Sequence, residues 1–214
     1  MSLNKGSVVS IAKRLLPGFI LGAALVVAVL SARQSSWTAP FQVPSFRQQG
    51  PASAPVLLVE FSDFECANCA KARIAVHELL ERQKGRVRLQ FRHFPLKTHR
   101  WSSMAALAAD CAGVQGRFWE YHDLLFENQK EWAKADDARG FFIEYARRTG
   151  LDMERFRQDL AGGRWMPLVQ NDLEDGKSRG VNATPTFFIG ARRLVGESQL
   201  RAYGDQFVEI EGPK

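Results

Sequence analysis

The sequence predicts one α/β domain in which an opening β-α-β unit and a closing β-β-α unit are separated by a long helical block. Three observations carry that prediction. An uninterrupted apolar run, VLLV at residues 56–59, continues through Glu60 and Phe61 and leads into residues at helical spacing; the segment 87–93 alternates with a period of two; and TFFIG at 186–190 precedes a second short strand-like run. Between the second and third of these, apolar residues recur at helical spacing. With 214 residues, 45% of them hydrophobic and 24% charged, the chain is long enough for one sizeable core and has the composition of an ordinary globular protein.

Residues 15–32, LLPGFILGAALVVAVLSA, carry no charge and follow Lys5, Lys13 and Arg14. That length is at the lower limit for a bilayer span and exceeds the usual apolar core of a signal peptide, and no clean A-x-A site follows. Residues 1–32 are therefore read as a signal or anchor segment, with the basic end left in the cytoplasm and the rest exported. Residues 33–55 contain Pro40, Pro44, Pro51 and Pro55 among Ser, Gln and Gly, which reads as a tether. The folded domain is expected over 56–210, with a short strand around 41–46 laid on first. The net charge of +6 is scattered among acidic residues, so no basic face for nucleic acid is expected.

Within the domain, residues 56–61 read as a strand buried on both faces, with Glu60 the odd residue. Cys69, Ala72, Val76, Leu79 and Leu80 then fall on one helical face, so a helix begins at the cysteine pair and Gly85 ends it. Val87, Leu89, Phe91 and His93 alternate with Arg88, Gln90 and Arg92, the pattern of a half-exposed strand. Helical segments follow over about 101–178. TFFI makes a strand, Gly190-Ala191 a turn, 192–195 a second strand, and 198–208 a helix with Ser198 as its N-cap. Lifting out the helical block leaves a thioredoxin-like core with a helical insertion.

The chemistry rests on Cys66-Ala67-Asn68-Cys69. A cysteine in the first turn of a helix meets unpaired N–H groups and the positive end of the dipole, which favour the thiolate that attacks in disulfide exchange. Cys66 should attack and Cys69 should resolve. Two other readings stand beside it. A zinc site needs about four ligands, but only Cys111 and the dispersed His77, His93, His99 and His122 remain. A structural crosslink over so short a loop would remove little unfolded-state entropy. Cys111 lies on an apolar helical face and reads as a core residue, as do Trp101, Trp119, Trp132 and Trp165; His93, on the apolar side of its strand, reads as structural. Pro185 in VNATPTF immediately precedes a strand, and spacing alone leaves its isomer open.

FSDFECANC, RHFPLKTH, AADCAGVQGRFWEYHDLLF and VNATPTFFIG together resemble the DsbA-like branch of thioredoxin-fold thiol:disulfide oxidoreductases, over about residues 56–207. The resemblance implies that Cys66 is the nucleophile and Cys69 its partner. It implies a cis Pro185 facing the pair and a Thr184 backbone that receives an extended substrate peptide by β-augmentation. It also gives Glu60, six positions before Cys66, the role of proton acceptor or donor for Cys69, with a pKa raised by burial. The alternative for Glu60 is a carboxylate paired with Lys or Arg. The strongly oxidising members carry a histidine between the cysteines; here Ala67-Asn68 brings no charge, and Glu65 is expected to raise the Cys66 pKa.

The expected function is thus an enzyme, an oxidase for cysteines of exported proteins, held at the cell membrane by a single-pass segment with its catalytic domain in the periplasm, or outside the cytoplasm. The family resemblance implies reoxidation by a membrane partner of the DsbB or vitamin K epoxide reductase type. No cofactor and no metal is expected. The alternatives are a reductase or isomerase kept reduced by a membrane donor, and a chaperone-like binding module in which the thiols are incidental.

Overall fold

The computed structural model describes residues 43–204, and the segments read as anchor and as the greater part of the tether lie outside them. Among the described residues no helix is long and apolar enough to cross a membrane. The chain enters through a 3-10 turn, Ser45–Arg47, and a two-residue strand β1, Gln48–Gln49. There follow β2 (Val56–Ser62), α1 (Ala67–Arg82) and β3 (Val87–His93). Six helices come next: α2 (Ser102–Gly113), α3 (Phe118–Glu127), α4 (Gln129–Trp132), α5 (Arg139–Arg148), α6 (Met153–Gly162) and α7 (Met166–Ser178). The chain closes with β4 (Thr186–Ile189), β5 (Arg192–Val195) and α8 (Gly196–Gly204).

These strands form one sheet in the order β1-β3-β2-β4-β5. β2 and β3 run parallel, with Glu60 beside Phe91 and Ser62 beside His93. β4 lies antiparallel on the other side of β2, pairing Phe61 with Thr186. This is a thioredoxin-like sheet, and the hairpin β4-β5 carries Pro185 to the end of β2 from which α1 departs. One apolar core lies under α1 and α8, built from Val56, Leu58, Val76, Leu79, Leu89 and Phe187. A second fills the helical block and takes in Phe64, Cys66, Cys69 and Phe91, so the cysteine pair sits where the block meets the sheet.

The structure departs from the sequence reading in four places, the first being that the short strand expected around 41–46 is a 3-10 turn at Ser45–Arg47, with the strand itself at Gln48–Gln49. β3 is buried on both faces, not half-exposed: Gln90 and Arg92 are each 4% exposed because α7 covers them. α7 comes close enough that a Cβ on Gly176 would stand 2.6 Å from the Phe94 ring. The proline-rich stretch is also not tether along its whole length, since Val43 and Arg47 are buried and Phe46 packs on Phe118 with ring centroids 5.9 Å apart. The apolar pattern there was too short to signal this, and its anchor is a charge: Arg47 donates to Asp110 and Asp172. Finally, α8 starts at Gly196, whose φ of 80° turns the chain straight out of β5 into the helix, so Ser198 lies inside the first turn and does not cap it.

Candidate active site

Cys66 is the N-cap of α1, with extended backbone (φ −78°, ψ 119°) and Ala67 as the first helical residue. Its sulfur therefore stands at the positive end of the helix. The Cys66 thiol donates to the Thr184 carbonyl oxygen at 3.4 Å, and the Thr184–Pro185 peptide bond is cis. Cys69, one turn into the helix, is fully buried and accepts the Asp63 N–H at 3.5 Å. Both are free thiols. Among the described residues no three His, Cys, Asp or Glu side chains converge as a metal site requires.

The two thiols are driven apart in acidity. The Cys66 pKa falls from 9.0 to about 5, chiefly because the Cys69 thiol donates to its sulfur; burial opposes this, and the Thr184 hydroxyl and the Cys69 and Asn68 N–H groups add to it. The Thr184 hydroxyl is buried without a hydrogen-bond partner among the described residues, so it is available to the thiolate. Burial, then the shared proton with Cys66, push Cys69 well above 9.0. One sulfur is a thiolate at neutral pH and the other keeps its proton. The Glu65 carboxylate accepts the Trp101 N–H at 2.6 Å, at the head of α2.

Glu60 lies on β2, 3% exposed, and burial lifts its pKa from 4.5 to about 7 against the opposing effect of Ser62. No Lys or Arg is paired with it among the described residues. The Ser62 hydroxyl lowers the pKa of both Glu60 and Cys69, so it lies near both, and it is buried without a hydrogen-bond partner among the described residues. Glu60 also lines a cleft of about 50 Å³ between α1 and α3, together with Arg73, His77, Trp119, His122 and Asp123. That volume has room for more than one water molecule.

Asp63 organises the loop between β2 and α1. Its carboxylate accepts from the Glu65 N–H at 2.9 Å, the Leu96 N–H at 2.8 Å, the His99 ring at 2.7 Å and the Ser102 hydroxyl. Its carbonyl accepts the Cys66 N–H at 3.1 Å. Sequence reasoning named Cys66, Cys69, Glu60, Thr184 and Pro185; the structure sets Cys66 against Thr184 and the cis Pro185, with Cys69 one turn into the helix, and places Glu60 on β2 with Ser62 near both it and Cys69. Sequence reasoning missed Ser62, Asp63 and His99. A short Asp-x-Glu turn was the sole local sign of Asp63, because its other partners lie more than thirty positions away. Cys111 is fully buried, with its pKa pushed up to about 12 by burial and by Asp159 and Asp110. His93 bonds Asp110 through Nε2 at 3.0 Å and is structural.

The sequence family described as thioredoxin matches residues 43–206. A thioredoxin-like oxidoreductase from Silicibacter pomeroyi DSS-3 superposes with a TM-score of 0.65 at 26% identity, covering 83% of this chain and 98% of that one. BdbD from Bacillus subtilis superposes at 0.66 with 22% identity, over 76% of this chain and 92% of that one. The thiol-disulfide exchange protein α-DsbA2 from Wolbachia pipientis superposes at 0.68 with 18% identity, over 85% and 94%. A Na(+)/H(+) antiporter, NhaA 3, from Salinispora tropica is 43% identical over 155 residues, which is 72% of this chain and 23% of that protein. The chain thus spans about a quarter of the length of the curated relatives it matches.

Proposed function

Because the chain belongs to the thioredoxin family, with the fold of its DsbA-like thiol-disulfide oxidoreductases, we propose that it oxidises cysteine pairs of exported proteins with a Cys66–Cys69 disulfide. A substrate thiolate attacks the Cys66 sulfur; the Cys66–Cys69 bond breaks, a mixed disulfide forms, and Cys69 leaves as a thiolate. Glu60 delivers a proton to Cys69 through Ser62 and regains one through the cleft. A second substrate thiolate then attacks its own neighbour's sulfur in the mixed disulfide and releases Cys66 as a thiolate. Two electrons pass from substrate to enzyme. Thr184 presents its backbone to the substrate as an added strand, and the cis Pro185 sets that edge against Cys66.

The single observation that carries this reading is the Cys66 sulfur at the head of α1, beside the cis Thr184–Pro185 bond, with its pKa lowered to about 5. A stabilised thiolate stabilises the reduced pair, and so makes the disulfide the reactive form. The residues 15–32 would hold the domain at the membrane, facing the periplasm or the outside of the cell, where a membrane protein of the DsbB or vitamin K epoxide reductase type would take up the electrons. The ion transport named for the antiporter relatives belongs to proteins of which this chain spans 23%, and is not carried over.

Equilibration with glutathione buffers tests the direction of flow: a potential near about −120 mV supports the oxidase, and one near about −270 mV favours the reductase. Cys66→Ser should abolish dithiol oxidation. Cys69→Ser should accumulate mixed disulfides on non-reducing gels, and its failure to trap any substrate would refute the exchange mechanism.

A further inference from the structure

The loop of residues 94–101 between β3 and α2 has no part in the proposed exchange reaction, yet it is bonded to the active-site loop at several points. Leu96 and His99 both meet Asp63, at 2.8 and 2.7 Å, and Trp101 meets Glu65 at 2.6 Å. Asp63 and Glu65 precede Cys66 by three positions and one. Left to themselves, two carboxylates beside a thiolate would oppose its ionisation. Asp63 is buried, 2% exposed, and its backbone holds both cysteines: its N–H reaches the Cys69 sulfur and its carbonyl takes the Cys66 N–H.

We propose that His99 is a charge-setting residue for the cysteine pair, its imidazolium bound to Asp63 and offsetting the two carboxylates so that the Cys66 thiolate is favoured. It supplies from the neighbouring loop the cation that Ala67-Asn68 does not supply from between the cysteines. The side chain of His99 is 25% exposed while that of Asp63 is fully buried, so the couple also exposes the site's charge balance to the pH of the surroundings. Burial of the ring acts to lower the His99 pKa, but the hydrogen bond and charge of Asp63, then Glu65 and Cys66, prevail and raise it above 6.5. The charged groups that reach the ring are thus Asp63 and Glu65 of the active-site loop and Cys66 at the head of α1. On its own loop, Arg100 lies over the Trp101 ring, 4.8 Å from its centroid.

This rests on the thiol-exchange reading for its consequence, but not for its measurement. In the full-length reduced protein, thiolate absorbance near 240 nm reports Cys66 directly, and glutathione equilibration reports exchange. His99→Gln keeps an amide donor for Asp63 and removes the charge. It should raise the Cys66 midpoint by about 0.5 to 1 pH unit. It should also lower the oxidising equilibrium constant about threefold to fivefold at pH 6, the fivefold end corresponding to about 20 mV for a two-electron couple. Because His99 loses its charge as pH rises, the gap between the two proteins should close by about pH 9. Ser102→Ala, which also removes a bond to Asp63 but carries no charge, should leave that pH-dependent gap absent. A His99→Gln protein matching the wild type at pH 6 in both measurements would overturn the proposal, and so would a loss equal at every pH. Should the thiolate midpoint move while the wild-type pair fails to exchange with glutathione, the charge couple stands and the exchange reading falls.

Discussion

Two polar clusters are buried in this molecule, and they treat charge in opposite ways. Around β3, Arg47 bonds Asp110 and Asp172; Arg92 bonds Asp172 at 3.0 Å and Asp175 at 3.0 Å; and the His93 ring and N–H take Asp110 and Asp172, each at 3.0 Å. Arg47 and Asp110 are fully buried. Around the cysteine pair, Glu60 has burial of the same order and no cation against it among the described residues, and Cys69 is as buried as Arg47. Where every charge has its partner the cluster joins elements: the entering chain, β3, α2 and α7. Burial pushes Asp172 up and Arg92 down even there, against the charges of their partners; around Glu60, where no cation opposes it, burial carries the pKa to about 7, and a proton can exchange near neutral pH. The difference separates architecture from chemistry within one domain.

The largest effect should come from breaking the paired cluster. Arg47→Ala leaves Asp110 and Asp172 buried without their shared cation, a loss of about 3–5 kcal/mol. A urea unfolding curve measures it. The reduction potential of the molecules that remain folded should stay at its wild-type value, since among the described residues no hydrogen bond or ion pair joins this cluster to Cys66 or Cys69; a changed potential would mean the two clusters are coupled.

That cluster was also the part least visible in the sequence. The strand-helix-strand order, the helical block and the closing hairpin were legible because each has its own periodicity, and Cys66 and Cys69 because a helical face begins at them. Arg47 was not, because a lone arginine among prolines carries no pattern, and its partners come from α2 and α7, 63 and 125 positions away. Gln90 and Arg92 misled for the same reason: polar residues alternating on a strand signal water, and here the other face meets α7. Glu60 was readable as an anomaly in an apolar run, yet its lack of a cation was knowable from the packing alone.

Glu60→Gln should neutralise the unpaired cluster. The folded pKa of about 7 lies above the unfolded 4.5, so between those values the folded state holds a proton that the unfolded state has lost. Stability from this group is then complete below about pH 4.5 and declines as pH rises to 7, by about 3 kcal/mol in all. The variant should be more stable than wild type at pH 8 by up to that amount and equal to it at pH 4, as denaturant melts at the two pH values would show. It should also lose the inflection near pH 7 in the rate at which Cys69 resolves a mixed disulfide. A variant with unchanged pH dependence in both would place the mobile proton elsewhere.

Cys111 provides the smallest and sharpest comparison, because it is the same functional group under burial without a helix N-terminus. Cys66 meets the Cys69 thiol, two backbone N–H groups and Thr184, and ionises near pH 5; Cys111 lies inside α2, with Asp159 and Asp110 adding to burial, and ionises near 12. Reduced native protein with its three cysteines should therefore take up one equivalent of iodoacetamide at pH 7, on Cys66, with Cys69 and Cys111 reacting once the chain is unfolded. Cys111→Ala should cost about 1 kcal/mol, the scale for one buried heavy atom, and leave the reduction potential unmoved. Labelling of Cys111 in the folded protein would mean that the helical block opens on the timescale of alkylation, and that burial alone does not divide the inert thiol from the reactive one.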